Sequence, residues 1–163
     1  MHQIDETASI SRHADLEDSV RGSKLVIGAN VMIDAFVKIK FTGGLGDVTI
    51  GENSNVNSGT VIYSGNGVTI GSNVLIAANC TFAPTNHEYA RRDIPIREQR
   101  FKPSKGGIVI EDDVWIGSNC VLLDGAILRK GCILGANSLV TGELEPYSVN
   151  VGSPAKLLKY RPG

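Results

Sequence analysis

The feature that most constrains this chain is a period of six. An aliphatic residue followed by Gly, Asp or Ala recurs at Ile27-Gly28, Ile33-Asp34, Ile50-Gly51, Ile70-Gly71, Ile76-Ala77, Ile116-Gly117 and Leu134-Gly135. Extending that register gives six groups of three anchors: Ile4, Ile10, Leu16; Ile27, Ile33, Ile39; Ile50, Val56, Ile62; Ile70, Ile76, Phe82; Ile110, Ile116, Leu122; and Leu128, Leu134, Val140. All but Phe82 are aliphatic. The position four after each anchor is mostly small or β-branched: Ala8, Ala14, Val20, Val31, Val37, Ser54, Thr60, Val74, Cys80, Val114, Cys120, Ala126, Cys132 and Ser138. The exceptions, Gly43, Asn66, Asn86 and Leu144, all close the third hexad of a group. A helical period of 3.6 explains none of this; short strands separated by tight turns do.

The gaps say more. Within a group the anchors are 6 apart, and between groups 11, 11, 8, 28 and 6 apart, so extra residues enter only after a third hexad. If three hexads make one turn of a solenoid, every insertion leaves from the same corner. The chain therefore reads as a single all-β domain over 1–163, a triangular parallel β-solenoid of about six coils. The coils cover 4–145, with 83–109 inserted as a long loop. Residues 146–163 read as a C-terminal cap, with a short helix starting near Pro154 that hides the open strand edge. Glycine, 19 of 163 residues against a usual share of about 7%, fits corners that need left-handed or crowded backbone.

Composition excludes several functions. Lys and Arg number 16 against 17 Asp and Glu, so no broad basic surface for nucleic acid is expected. No signal peptide and no apolar run of spanning length is seen, which reads as a cytoplasmic protein. The three cysteines show no metal-type spacing, and Cys80, Cys120 and Cys132 all fall at the small packing position. They read as core residues and poor nucleophiles. Among candidate chemical groups His87 stands out. It lies five residues after Phe82, where the largest insertion leaves the solenoid. Long loops in a compact domain are often functional, and a histidine can take a proton near neutral pH. Trp115 alternates with the inward Val114 and Ile116, so strand geometry points it outward.

These hexads resemble the hexapeptide-repeat family, whose members form left-handed parallel β-helices and are usually trimeric. Further motifs are Ile70-Gly-Ser-Asn-Val-Leu-Ile-Ala77, Asn86-His87, Ile110-Glu-Asp-Asp-Val-Trp-Ile-Gly117, Gly135-Ala-Asn-Ser-Leu-Val-Thr141 and Gly152-Ser-Pro-Ala-Lys156. With them the chain looks like the branch of maltose, galactoside and polysaccharide-biosynthesis O-acetyltransferases. That resemblance implies acetyl-CoA as cosubstrate, no metal, and a sugar or nucleotide-sugar acceptor bound between subunits of a homotrimer. It makes His87 the general base and places Asn57, Asn86 and Glu88 at the acceptor. Asn57 stands 30 residues before His87, the separation seen in the galactoside-type enzymes. Trp115, Ser118, Ala136, Thr141, Lys156 and Lys159 match positions lining the CoA site. Gly142 replaces a lysine common there, and Arg129, Lys130 and Arg161 are the candidates to compensate.

Packing cysteines favour direct transfer in a ternary complex over an acetyl-cysteine route. N-acetylation of an amino sugar is the rival reading, because the same scaffold and base serve an amine. A non-enzymatic scaffold is the alternative of another class. The γ-carbonic anhydrase reading needs three ligand histidines, and His2, His13 and His87 are not spaced for it. Serine O-acetyltransferase would require a long N-terminal helical region.

Overall fold

The computed structural model describes residues 2–163. Each coil gives one strand to each of three parallel sheets. The first face stacks His2–Ile4, Leu25–Ile27, Val48–Ile50, Val68–Ile70, Ile108–Ile110, Ile127–Leu128 and Glu143–Leu144. The second stacks Ser9–Ile10, Met32–Ile33, Asn55–Val56, Leu75–Ile76, Trp115–Ile116, Ile133–Leu134 and Ser148–Val151. The third stacks Asp15–Leu16, Lys38–Lys40, Val61–Tyr63, Thr81–Ala83, Val121–Leu123 and Leu139–Val140. Six complete coils result, with a seventh begun.

The anchors of the hexad register are direct partners across coils. Ile27, Ile50, Ile70, Ile110 and Leu128 form one such row, and Ile33, Val56, Ile76, Ile116 and Leu134 another. Every anchor from Ile27 to Val140 is buried, each contributing about 1.5–3 kcal/mol of hydrophobic stabilisation. In the first coil Ile4 is exposed and Ile10 and Leu16 are only half-buried, because no coil stacks beneath them. Val20, aligned with the small packing residues by the register, is 95% exposed: it belongs to the extra residues that join the first two coils.

The corners separate two roles that the sequence alone merges. The third position after an anchor is left-handed, and asparagine fills it most often, with φ near 60° at Asn53, Asn73, Asn79, Asn119 and Asn137. Asparagine tolerates that region because its short amide bonds locally. The first position is where glycine is needed, for space. A Cβ on Gly51 would lie 2.5 Å from the carbonyl carbon of Gly71 on the next coil.

The C-terminal cap is not the expected helix. Lys156–Tyr160 is a β-strand, antiparallel to Ser148–Val151, with a register shift at Val149/Asn150. A strand wins because the seventh coil leaves unpaired backbone N–H and C=O groups that only an extended segment can satisfy. Among the described residues the single α-helix is the four-residue Ile96–Gln99, inside the long loop.

Gly51→Ala is expected to lower stability by about 1–3 kcal/mol through overpacking between coils. Chemical denaturation checks this, and an unchanged midpoint would contradict it.

Candidate active site

The long loop starts at the corner between the third and first faces. Its stem is a short antiparallel pairing: His87 faces Phe101, the Glu88 N–H donates to the Arg100 carbonyl (2.9 Å), and the Lys102 N–H to the Asn86 carbonyl (2.8 Å). The tip is tied by Gln99, whose Nε2 donates to the carbonyls of Arg91 (2.8 Å) and Ile94 (3.1 Å). Arg91 also pairs with Asp93. The returning strand of the loop is clamped by Asp124, a buried carboxylate at the same corner one coil on. Its two oxygens accept from the N–H groups of Lys105 (2.8 Å) and Gly107 (2.9 Å).

His87 is exposed at the mouth of a cavity of about 580 Å3 that also takes in Asn86, Tyr89, Lys102, Lys105 and Thr141. A second hollow of about 200 Å3 on its other side is bounded by Tyr63, Thr85 and Phe101. The imidazole is held by the Phe101 ring, centroid to centroid 4.8 Å. Of the residues expected at the acceptor, Asn86 thus stands with His87; Thr141, expected to line the CoA site, borders the same cavity from two coils above. Glu88 is engaged otherwise. Its Oε1 accepts from the N–H groups of Tyr89 (2.8 Å) and Ala90 (3.0 Å), which hold its carboxyl below the usual range and fasten the loop.

Asn57, Ser118 and Ala136 lie at a different corner, between the second and third faces. There the column Ser58, Ala78, Ser118, Ala136 rises along one edge, each coil donating to the one below, as the Asn137 N–H does to the Ser118 carbonyl (2.9 Å). Asn57 anchors its side chain on the same edge, with Nδ2 donating to the Ile76 carbonyl (2.7 Å). Within one chain, Asn57 and His87 are therefore on separate edges of the prism.

Trp115 projects from the second face, in register with Leu75 below and Ile133 above, and is 52% exposed. These three border a groove of about 200 Å3 with Asn73, Asp113 and Arg161. The Arg161 guanidinium closes it, donating to Asp113 (2.9 Å) and to the Gly131 carbonyl (3.0 Å). Lys159 sits opposite Val149, in the row that runs through Leu75, Trp115 and Ile133, and Lys156 lies exposed on the same strand.

The cysteine thiols are buried. A hydrogen bond with Cys120 and burial push Cys80 up, the same hydrogen bond draws Cys120 down to about 7, and burial pushes Cys132 up to about 12. His2 bonds the Glu17 carbonyl and His13 stacks on Phe36, so neither approaches His87 on its loop. Among the described residues no cluster of His, Cys, Asp and Glu has the makings of a metal site.

Lys102, Lys105, Phe101 and Asp124 escaped the sequence reading. The loop that carries the first three has no period, and Asp124 differs from other corner residues only in being a carboxylate where the loop returns.

The sequence compares well with known proteins. Residues 107–142 match the bacterial transferase hexapeptide model (six repeats), and 47–81 the hexapeptide repeat of succinyl-transferase. A putative lipopolysaccharide biosynthesis O-acetyl transferase, WbbJ of Escherichia coli K12, is 32% identical over 85% of this chain and 69% of its own length. The chain belongs to the hexapeptide-repeat acetyltransferase family. Its coil is the left-handed parallel β-helix. A variant of AntD, an N-acyltransferase from Bacillus cereus solved with dTDP-4-amino-4,6-dideoxyglucose and coenzyme A, superposes with a TM-score of 0.82 at 24% identity, over 99% of this chain and 84% of that one. A hexapeptide-repeat acetyltransferase of Vibrio cholerae, VCA0836, solved with acetyl coenzyme A, gives 0.72 at 28% identity, over 82% of this chain and 69% of that one.

Asp124→Ala should free the returning stem of the loop. Loss of two hydrogen bonds to a buried carboxylate is expected to cost about 1–3 kcal/mol. Limited proteolysis should then cut within 88–106 faster than in the wild type, and equal cleavage rates would refute the clamp.

Proposed function

We propose that this enzyme transfers the acetyl group of acetyl-CoA to a hydroxyl of a sugar or glycan precursor, with His87 as general base and direct transfer in a ternary complex. The observation that carries this is His87 itself, exposed at a formed cavity on the stem of a loop fastened at both ends. The resemblance to a relative described as an O-acetyl transferase, across most of the chain, supports a hydroxyl acceptor. In this reading His87 takes the hydroxyl proton as the oxygen attacks the acetyl carbonyl, then returns it to the departing sulfur. A backbone N–H aimed at the carbonyl oxygen stabilises the charge that develops there.

The residues present fit an acyl-CoA donor, which supplies the activated thioester. Trp115 with Leu75 and Ile133 offers an apolar wall. Lys159 and Lys156 offer point charges for phosphates farther along the same face. Ser118 and Ala136 offer backbone groups on the adjoining edge, beside Asn57.

The active unit is a homotrimer. Asn57, Ser118 and Ala136 line one corner while His87, Asn86 and Thr141 line another, and a complete site brings one corner of each subunit against the other corner of its neighbour. The coils of 4–145, the loop and the C-terminal strand then act as one catalytic unit. Three free thiols suit a reducing, cytoplasmic setting. No helix is long and apolar enough to cross a membrane among the described residues.

Acetyl-CoA consumption measured over sugars, nucleotide sugars and amino sugars tests the reading. Wild-type protein should turn over a hydroxyl acceptor, and His87→Ala should lose about 10²–10⁴-fold in kcat with its melting temperature kept. Unchanged turnover in the variant would sink the base assignment. Activity confined to amines would replace the O-acetyl reading with N-acetylation, and none on any acceptor would favour a scaffold. Light scattering should give a mass of three chains; a monomer at assay concentration would overturn the shared site.

A further inference from the structure

One corner of the solenoid carries a residue that the coil does not require. Phe36 stands at the third position after the anchor Ile33, in the left-handed region with φ 62°. Asparagine holds the equivalent place at Asn79, Asn119 and Asn137, and glycine at Gly59. A large side chain in that conformation costs roughly 1–2 kcal/mol. Tyr147, the other left-handed aromatic among the described residues, packs across Gly131 and faces the Arg161 guanidinium. Phe36 has no such packing and is 70% exposed. Backbone strain with no packing to offset it is a mark of binding sites.

Its surroundings are those of a platform. His13, the equivalent residue one coil below, lies against the ring at 5.8 Å between centroids and 24° between planes. The His13 carbonyl also accepts from the Phe36 N–H (3.1 Å). Gly59, the equivalent residue one coil above, has no side chain to roof the ring. Two residues earlier on the same corner stands Asp34. Its Oδ2 accepts from the Ser58 hydroxyl (2.6 Å) and its Oδ1 from the Ala35 N–H (2.7 Å), which hold the carboxyl below the usual range. Each oxygen keeps a second lone pair. No cationic side chain lies within 4.0 Å of them among the described residues. An open aromatic face beside a carboxylate with spare acceptors matches a pyranose, which has apolar C–H groups on its face and hydroxyls around its rim.

We propose that the Asp34–Phe36 corner is a carbohydrate subsite, in which the Phe36 ring stacks on the C–H face of a pyranose unit and the Asp34 carboxylate accepts from its hydroxyls. Asp34 lies directly under Asn57, because Ile33 pairs with Val56. The subsite is therefore one coil, about 4.8 Å, below the residue expected at the acceptor. That rise is close to the advance of one sugar unit along a glycan. The unit seated here is the neighbour of the one presented to His87, so the acceptor is a chain of two or more sugars. The inference rests on the acetyl-transfer reading for what happens to that neighbouring unit, whereas the subsite itself is tested by binding.

The test is saturation-transfer NMR on wild type, Phe36→Asn and Asp34→Asn, with the protein's aromatic protons irradiated. The probes are maltose, lactose, cellobiose and chitobiose, with the methyl glycosides of their component monosaccharides beside them. Both variants install the residue type that other coils carry at the same corner places, so the fold is kept. Wild type should bind at least one disaccharide, with saturation concentrated on one face of a ring, and more tightly than its monosaccharides. Each variant should bind that disaccharide about fivefold or more weakly. The melting temperature of Phe36→Asn should not fall, because the strain is relieved. No disaccharide bound by wild type, or equal binding by the variants, would overturn the proposal. A lower melting temperature or a change of oligomeric mass in Phe36→Asn would also overturn it, making Phe36 a packing or subunit-contact residue. A monosaccharide bound as tightly as every disaccharide would overturn the two-unit acceptor. Sugar binding that depends on Asp34 and Phe36, in a protein whose wild type consumes no acetyl-CoA with any acceptor, would keep the subsite and defeat the acetyl-transfer reading.

Discussion

Everything here depends on the in-register stacking of one coil on the next. Each coil rises by the spacing of a hydrogen-bonded strand pair, about 4.8 Å. That spacing suits an aliphatic side chain resting on its equivalent below, as Ile50 does on Ile27 and Ile70 on Ile50. Backbone ladder and side-chain stack enforce each other, since a slip of one residue would turn Ile76 out and Leu75 in. The cost is that corners must be both tight and flat against their neighbours. Glycine at the first corner position and asparagine at the third answer these two demands separately.

The solenoid also explains how so small a chain can hold a site. Faces and edges are rigid and repetitive, so chemistry can be placed by address: a side chain out of the second face, a backbone group on one edge, a loop from another. The candidate residues Trp115, Ser118 and His87 stand at three such addresses. The loop is the irregular part, and it is fastened to the regular one by Asp124, a single carboxylate that satisfies two backbone donors.

The coils were legible in the sequence because a period repeated eighteen times outweighs local propensity. The anchors Ile27 through Val140 are all in the core, and the loop leaves the corner that the gaps marked. The C-terminal cap was not legible. Lys156-Leu157-Leu158-Lys159-Tyr160 reads equally as helix or strand, and the choice is made by an unpaired ladder edge that only the folded structure reveals. At the site, His87 and Trp115 could be picked out because each breaks or decorates the period. Lys102 and Lys105, which border the same cavity, could not, because they meet there across a loop of no period, and lysines on loops are ordinarily just solvated. The division of Asn57 and His87 between two corners was equally hidden in their linear separation.

The antiparallel strand at the C-terminus has a consequence for assembly along the coil axis. A parallel solenoid is a template for itself: its last coil presents the same hydrogen-bonding pattern as every coil before it, and another chain's first coil could dock there and extend the rod. Lys156–Tyr160 runs the other way and occupies that seat on the second face. An incoming coil meets reversed polarity, two exposed lysines and a ladder shifted at Val149/Asn150. The strand thus closes the second face to an incoming coil, so the ladder there ends within the chain itself.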